Sequence, residues 1–198
     1  MLNAILILLS YLLGSISFSF IIGKTVKGID IREYGSGNAG ATNTLRVLGK
    51  GPAVLVLALD IVKGIAAVWA ARALAPDLIW VHVLCGIAVI IGHNWPVFFG
   101  FRGGKGIATT IGVMATLSLL PALCAGIIAL VLVALTRFVS LGSLVFTALL
   151  PVFLVLWGKP EEIIYTSLLV CAFAFYRHRT NIVKLLQGKE NKLGASRK

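Results

Sequence analysis

The sequence predicts an all-α integral membrane protein, a bundle of seven transmembrane helices with its N-terminus outside and its C-terminus in the cytoplasm. Three observations carry that prediction. Mean hydropathy is +0.98, with 59% hydrophobic and 13% charged residues, an apolar excess unlike that of an ordinary soluble domain. Apolar runs recur along the whole chain, several near the roughly 20 residues a helix needs to cross a bilayer. The lysines and arginines fall between those runs, and mostly on one side of them.

The runs lie at 2–22, 52–75, 78–93, 107–121, 123–136, 140–157 and 162–176. The first starts Met1-Leu2-Asn3 without a basic region and is longer than a secretory signal's apolar stretch, so it is read as a retained helix. The segment 107–136 allows either one long tilted helix or two short ones broken near Pro121. Charge decides between them, because cytoplasmic loops carry the excess of Lys and Arg. With two helices, one side collects Lys24, Lys27, Arg32, Arg46, Lys50, Arg102, Lys105, Arg137 and seven tail residues, 15 of the 18. Only Arg72 and Lys159 lie opposite, and Lys63 falls within a span. One helix would divide the loop charges almost evenly, so seven spans are expected. Trp69, Trp80 and Trp157 then lie toward the outer ends, and Tyr34, Trp95 and Tyr176 toward the inner ends, as interfacial aromatics do.

No linker or soluble module interrupts the pattern, and residues 1–198 are expected to form one membrane domain. Cys85, Cys124 and Cys171 all sit in apolar runs, where cysteine acts as a small hydrophobe, and no zinc or redox spacing is present. The net charge of +11 lies in loops and tail. There it reports topology before nucleic-acid binding, and no nucleic-acid partner is expected.

Three polar stretches, 35–46, 92–110 and 177–190, hold most of the chemical groups, and this topology makes all of them cytoplasmic. In the first, Gly35-Ser36-Gly37-Asn38-Ala39-Gly40 matches the dinucleotide fingerprint, and Asp60 lies where a ribose-binding acid would be sought. The match is a decoy, since that fingerprint needs a preceding strand and here follows a membrane helix. What it retains is the ability of glycine backbone to approach an anion closely. Ser36, Asn38, Thr42 and Asn43 add neutral donors, and Arg46 adds a guanidinium fork, so the stretch reads as a phosphate cradle. A plain glycine-rich loop with a helix-capping hydroxyl is the bland alternative.

The second stretch runs from His93-Asn94-Trp95-Pro96 to Arg102-Gly103-Gly104-Lys105-Gly106-Ile107-Ala108-Thr109-Thr110. It fails the Walker pattern, with Phe99 at the first glycine and Gly106 at the magnesium-binding hydroxyl. A lysine among glycines before a helix still suits an anion. In the third stretch, His178 can exchange a proton near neutral pH. Arg177 and Arg179 read first as topological or lipid-headgroup contacts, and Ile182 to Lys189 as a short interfacial helix. Glu190 is expected to pair with an arginine of the first or third stretch and fix the tail. Asp60 and Lys63, three apart on one helical face, are expected to pair as structural support, with Lys63 able to reach toward the site. Ser140 and Ser143 stand near enough to contribute, helix capping being the alternative for Ser140.

These motifs resemble the bacterial acyl-phosphate:glycerol-3-phosphate acyltransferases. The resemblance rests on Ser36 to Asn43 with Arg46, on Gly92-His93 and Phe101 to Thr109, and on Arg177-His178-Arg179 with Asn181 and Gly188-Lys189-Glu190. It extends over essentially the whole chain, in order and between the matching spans. It implies a seven-helix enzyme of the bacterial plasma (inner) membrane, its active site on the cytoplasmic face. The implied reaction moves a fatty acyl group from acyl phosphate to the 1-hydroxyl of glycerol 3-phosphate, giving lysophosphatidate and phosphate, the first step of phospholipid synthesis. The two substrates and the lipid bilayer are the expected partners, with no cofactor and no metal, and a monomer is expected.

By motif match, Ser36, Arg46, Lys105, His178 and Asn181 are the expected catalytic residues. Ser36, Gly37, Asn38, Gly40, Ala41, Thr42, Asn43, Arg46, Gly104, Lys105 and Ser143 are expected to bind substrate phosphate. The chain has no G-x-S-x-G elbow, and no histidine is followed five residues later by Asp. Direct attack of the glycerol hydroxyl without an acyl-enzyme is therefore expected. Either His178 or the phosphate of glycerol 3-phosphate can take the proton. The rival class is a transporter of a phosphorylated solute, which predicts polar groups on both faces and often an inverted repeat. The outer loops are short, and no convincing repeat is seen.

Overall fold

Helices account for every regular element among residues 1–194, which the computed structural model describes. They fall into two compact units, Met1–Leu117 and Ser118–Lys198.

The first unit begins with α1 (Leu2–Gly14) and α2 (Phe18–Lys27), where the sequence predicts one unbroken helix. The chain is extended at Ser17, φ −91° and ψ 92°, so the backbone ladder is interrupted inside the apolar run. Gly14, the last residue of α1, lies so close to the backbone of Val89 that a side chain there would overlap it. After a short 3-10 turn at Ile31–Glu33 come α3 (Ala41–Leu48), α4 (Lys50–Leu74) and α5 (Ile79–Asn94). A second 3-10 turn at Val97–Phe99 and the glycine stretch lead to α6 (Ile107–Leu117).

Small residues set how closely these helices pack. α1 packs on α5, and α4 packs on α3, α5 and α6. Gly92 meets the carbonyl of Tyr11, Gly64 that of Thr109, and Gly112 that of Ile61, so any side chain at those points would push the helices apart. Apolar surface gains nothing by leaving lipid for protein, so such close backbone contact is what holds membrane helices together.

In the second unit α7 (Leu119–Thr136) packs on α8 (Val139–Leu156), and α8 on α9 (Glu161–Arg177). The short α10 (Arg179–Leu186) follows His178 directly. The segment 107–136 is two helices, and the break falls at Ser118, extended at φ −157°, three residues before Pro121. Pro121 sits in the first turn of α7, where its missing N–H costs no hydrogen bond.

Among the described residues, five helical segments are long and apolar enough to cross a membrane: Leu2–Lys27, Lys50–Leu74, Ile79–Phe99, Leu119–Thr136 and Val139–Leu156. Two of the seven predicted runs form shorter helices, α6 with 11 residues and α9 with 17. Large apolar side chains such as Trp69, Leu130 and Leu135 are exposed, as a lipid-facing surface requires.

Candidate active site

The first polar stretch is shaped from beneath by Asn43. Its side chain is buried in the third residue of α3, and both ends of its amide are engaged. Oδ1 accepts from the Ser36 backbone N–H at 2.7 Å and from the Ser36 hydroxyl at 3.1 Å. Nδ2 donates to the carbonyls of Ile31 and Tyr34, both at 3.0 Å. One side chain thus closes the loop onto its own helix. Gly35 has φ +63° and passes so near Asn43 that a Cβ would overlap Oδ1.

The amides of Gly37 and Gly40, expected to face an anion, instead donate within the loop, to Tyr34 and Asn38 carbonyls at 3.0 and 3.1 Å. The donors left for a phosphate are those at the start of α3. Ala41 and Thr42 occupy its first turn, where helical N–H groups have no partner four residues back. Asn38 and Thr42 are partly exposed beside them, Ser36 is exposed, and Arg46 is exposed one turn beyond Thr42.

Asp30 and Arg32 fasten the front of this loop. The Asp30 carboxylate caps the 3-10 turn through the Arg32 N–H at 3.0 Å and grips the guanidinium at 2.8 Å. The hydrogen bond to Arg32 holds the Asp30 carboxyl below its ordinary value, and Asp30 in turn raises Arg32. Arg32 Nη1 donates to the Phe99 carbonyl at 2.7 Å, linking the first stretch to the second.

In the second stretch the chain leaves α5 through Trp95 and doubles back, so that the Gly104 N–H donates to the His93 carbonyl at 3.1 Å. Gly103 and Gly104 are both buried. A Cβ on Gly103 would overlap the His93 carbonyl, and one on Gly104 would overlap both the His93 ring at Nε2 and the Ala39 carbonyl. The two loops therefore touch at Gly104 and Ala39. Lys105 follows, partly exposed, and Gly106 at φ +81° turns the chain into α6. Against Gly106 lies the fully buried Asn94 amide, whose Oδ1 and Nδ2 find no partner among the described residues.

Asp60 and Lys63 pair as the sequence predicts, 2.8 Å apart and both about 2% exposed. The lysine turns inward, to the break between α1 and α2 and to His93. The sequence predicts that Lys63 can reach toward the site but not that it meets the break between α1 and α2, although Gly14-Ser15 and a lysine inside a span were the available signals.

The second unit carries the remaining predicted residues. His178 is buried between α9 and α10, its Nδ1 2.8 Å from the Ala174 carbonyl. A carbonyl only accepts, so Nδ1 bears the hydrogen and Nε2 is the acceptor of the neutral ring. Asn181 Nδ2 donates to Glu190 Oε1 at 2.9 Å. Glu190 is thereby joined to α10 through an asparagine. Ser143 is buried in α8 and returns its hydroxyl to the Val139 carbonyl at 2.9 Å. Phe138, not Ser140, occupies the N-cap of α8. Arg179 lies over the Tyr176 ring at 4.6 Å, and α10 exposes Val183 and Leu186, in keeping with an interfacial helix.

Comparison with known proteins gives one consistent result. The family described as glycerol-3-phosphate acyltransferase matches residues 4–188. A glycerol-3-phosphate acyltransferase of Shouchella clausii is 56% identical, over 95% of this chain and 94% of that protein. One from Halalkalibacterium halodurans is 58% identical, over 96% and 95%. The crystal structure of PlsY, described as an integral membrane glycerol 3-phosphate acyltransferase, in its glycerol 3-phosphate form superposes with a TM-score of 0.93 at 41% identity, covering 98% of this chain and 96% of that one.

Proposed function

The chain belongs to the glycerol-3-phosphate acyltransferase family, and from that premise we propose that it moves a fatty acyl group from acyl phosphate to the 1-hydroxyl of glycerol 3-phosphate. It is a membrane-integral acyltransferase of phospholipid synthesis. The products are lysophosphatidate and inorganic phosphate. Membership in an enzyme family sets aside the transporter reading.

The observation that carries the proposal is the first loop. Asn43 ties the loop to its own helix, and the N–H groups of Ala41 and Thr42 with the side chains of Asn38 and Thr42 stand at the loop's open edge to meet a phosphate, Arg46 lying exposed one turn on. Hydrogen bonds to a charged group contribute about 1.5–3 kcal/mol each, so several together can hold a dianion against water. Lys105 neutralises charge on the second phosphate. Gly104 brings its loop against Ala39, which supports a shared task for the two stretches.

In the proposed step the 1-hydroxyl oxygen attacks the acyl carbonyl, an ester C–O bond forms, and the bond from the acyl carbon to the phosphate oxygen breaks. Phosphate departs with the bonding pair, and Arg46 and Lys105 stabilise the developing charge. His178 orients the nucleophile by accepting its hydrogen bond at Nε2, the nitrogen that the Ala174 contact leaves as acceptor. Asn181, held by Glu190, and Ser143 are assigned to substrate binding by their motif match. The proton passes to Nε2 or to the phosphate of glycerol 3-phosphate. No acyl-enzyme forms, and the protein works as a monomer.

The proposal retains seven spans with the N-terminus outside, placing all three polar stretches on the cytoplasmic face of the bacterial inner membrane. The charge distribution supports it. Purified protein incubated with glycerol 3-phosphate and palmitoyl phosphate is expected to give lysophosphatidate and phosphate in equal amounts. Product from an acyl thioester but none from acyl phosphate would overturn the donor. An acyl-protein adduct trapped by rapid quench would overturn direct transfer.

A further inference from the structure

Lys63 is the largest fully buried side chain among the described residues. A charged group at the centre of a span costs about 2.5–3.5 kcal/mol on insertion scales. Pairing it with Asp60 does not explain why both are there, since a buried ion pair often contributes no more stability than apolar residues of the same volume. The explanation lies in what the pair touches.

The Lys63 ammonium lies within hydrogen-bond distance of the Gly14 carbonyl, the Ile16 carbonyl and His93 Nδ1, each at 3.0 Å. Asp60 Oδ1, at 2.8 Å from Nζ and 3.4 Å from His93 Nδ1, balances the charge. An ammonium cannot accept a hydrogen bond, so His93 Nδ1 must be the acceptor. The neutral ring therefore carries its hydrogen on Nε2. That nitrogen faces the second loop, at the point where Gly104 leaves no room for a Cβ and where the Ala39 carbonyl of the first loop also presses in. The same residue holds Gly104 through its backbone carbonyl.

We propose that Asp60, Lys63 and His93 are positioning residues for acyl transfer. The buried pair fixes the tautomer and orientation of the His93 ring, and the Nε2–H of that ring holds the junction of the two phosphate-facing loops. The relay also couples this junction to the break between α1 and α2, because the carbonyls freed at Gly14 and Ile16 are the other partners of Lys63. None of the three touches substrate. Displacing a reacting group by about 1 Å can cost on the order of a hundredfold in rate, which is the scale of effect a loop-positioning device controls.

The proposal rests on the acyltransferase reading only for its kinetic arm; its spectroscopic arm needs no substrate. In full-length protein labelled with 15N-histidine, the His93 signals, identified by their loss in His93→Gln, are expected to show a hydrogen-free Nδ1 and a protonated Nε2. Lys63→Met is expected to shift that pattern. A protonated Nδ1 in the unmodified protein would overturn the proposal. Glutamine can place an N–H near the position of Nε2 and asparagine cannot, so His93→Gln should keep kcat/KM for glycerol 3-phosphate within about threefold while His93→Asn loses about tenfold or more.

Lys63→Met should lose a similar factor, and Lys63→Met with His93→Asn should be no worse than the poorer single variant, since both break one relay. Val68→Ala, a cavity variant on the same helix, should lower the melting temperature and leave kcat/KM unchanged. Additive losses, equal behaviour of the two His93 variants, or a Val68→Ala defect matching that of Lys63→Met would each overturn the proposal. If Lys63→Met does not fold, the His93 pair and the nitrogen signals still decide it.

Discussion

Replacing Asn43 with Asp changes one atom and tests how the first loop is built. The four hydrogen bonds of Asn43 divide into two accepted from Ser36, at 2.7 and 3.1 Å, and two donated to Ile31 and Tyr34, each at 3.0 Å. Aspartate keeps the accepted pair and loses the donated pair. Two bonds at about 0.5–1.5 kcal/mol each give roughly 1–3 kcal/mol. A carboxylate oxygen set against two carbonyl oxygens adds repulsion, so the total is about 3 kcal/mol. That is enough to reduce the population of correctly closed loops by about a hundredfold. The assay is the initial rate of lysophosphatidate formation against glycerol 3-phosphate concentration, with the melting temperature measured in the same detergent. The expected result is a fall of about a hundredfold in kcat/KM. The defect should narrow as pH is lowered, because a protonated carboxyl regains one donated bond. Asn43→Asp within about threefold of the unmodified protein at neutral pH would refute the idea that this amide builds the loop.

Three further outcomes follow from the same geometry. Gly104→Ala should cost about 1–3 kcal/mol of overpacking and at least tenfold in kcat/KM, because neither the His93 ring nor the Ala39 backbone can retreat easily; Gly51→Ala, which meets nothing within 4 Å, should keep full activity and gain up to about 1 kcal/mol in helix stability. Melting and rate measurements on the pair check this, and equal behaviour would count against close approach. His178→Gln, followed in a single turnover, should slow acyl transfer by at least about a hundredfold if Nε2 takes the proton, whereas full speed would assign the proton to the substrate phosphate. Asp30 has a depressed folded-state pKa, so its contribution is complete above the ordinary value of 3.8 and is lost as pH falls through the lower folded value. Asp30→Asn should therefore flatten the acid end of the melting profile, and an unchanged profile would show that the Asp30–Arg32 pair does not stabilise the fold.

Most of the helices were legible because lipid imposes a simple requirement, long apolar runs with their backbone bonds satisfied internally. The break at Ser15 to Ser17 was not legible. It rests on a lysine 47 to 49 positions away donating to the freed carbonyls of Gly14 and Ile16. Hydropathy averages over it. The charge pattern likewise marked out the three polar stretches but could not separate their donors. Gly37 and Gly40 read as anion-facing amides, and their N–H groups close the loop on itself. Which N–H faces outward is a property of turn geometry, and Asn43 sets that geometry from inside α3.

The polar residues of this chain divide by burial more than by type. Asn38 and Asn43 are five residues apart and identical in chemistry, yet Asn43 is 1% exposed with its amide fully used, while Asn38 is partly open beside the first turn of α3. Lys63 and Lys105 repeat the contrast, one sealed in a span and the other partly exposed after a glycine pair. A group that must take a phosphate from water has to reach water, and a group that must hold a loop in a low-dielectric interior has to be satisfied before any substrate arrives. The two requirements exclude each other at a single side chain. The proposed site, holding two phosphates beside lipid, therefore needs both kinds of residue, and in that proposal the buried amide, ammonium and imidazole allow the exposed donors to be few and still well aimed.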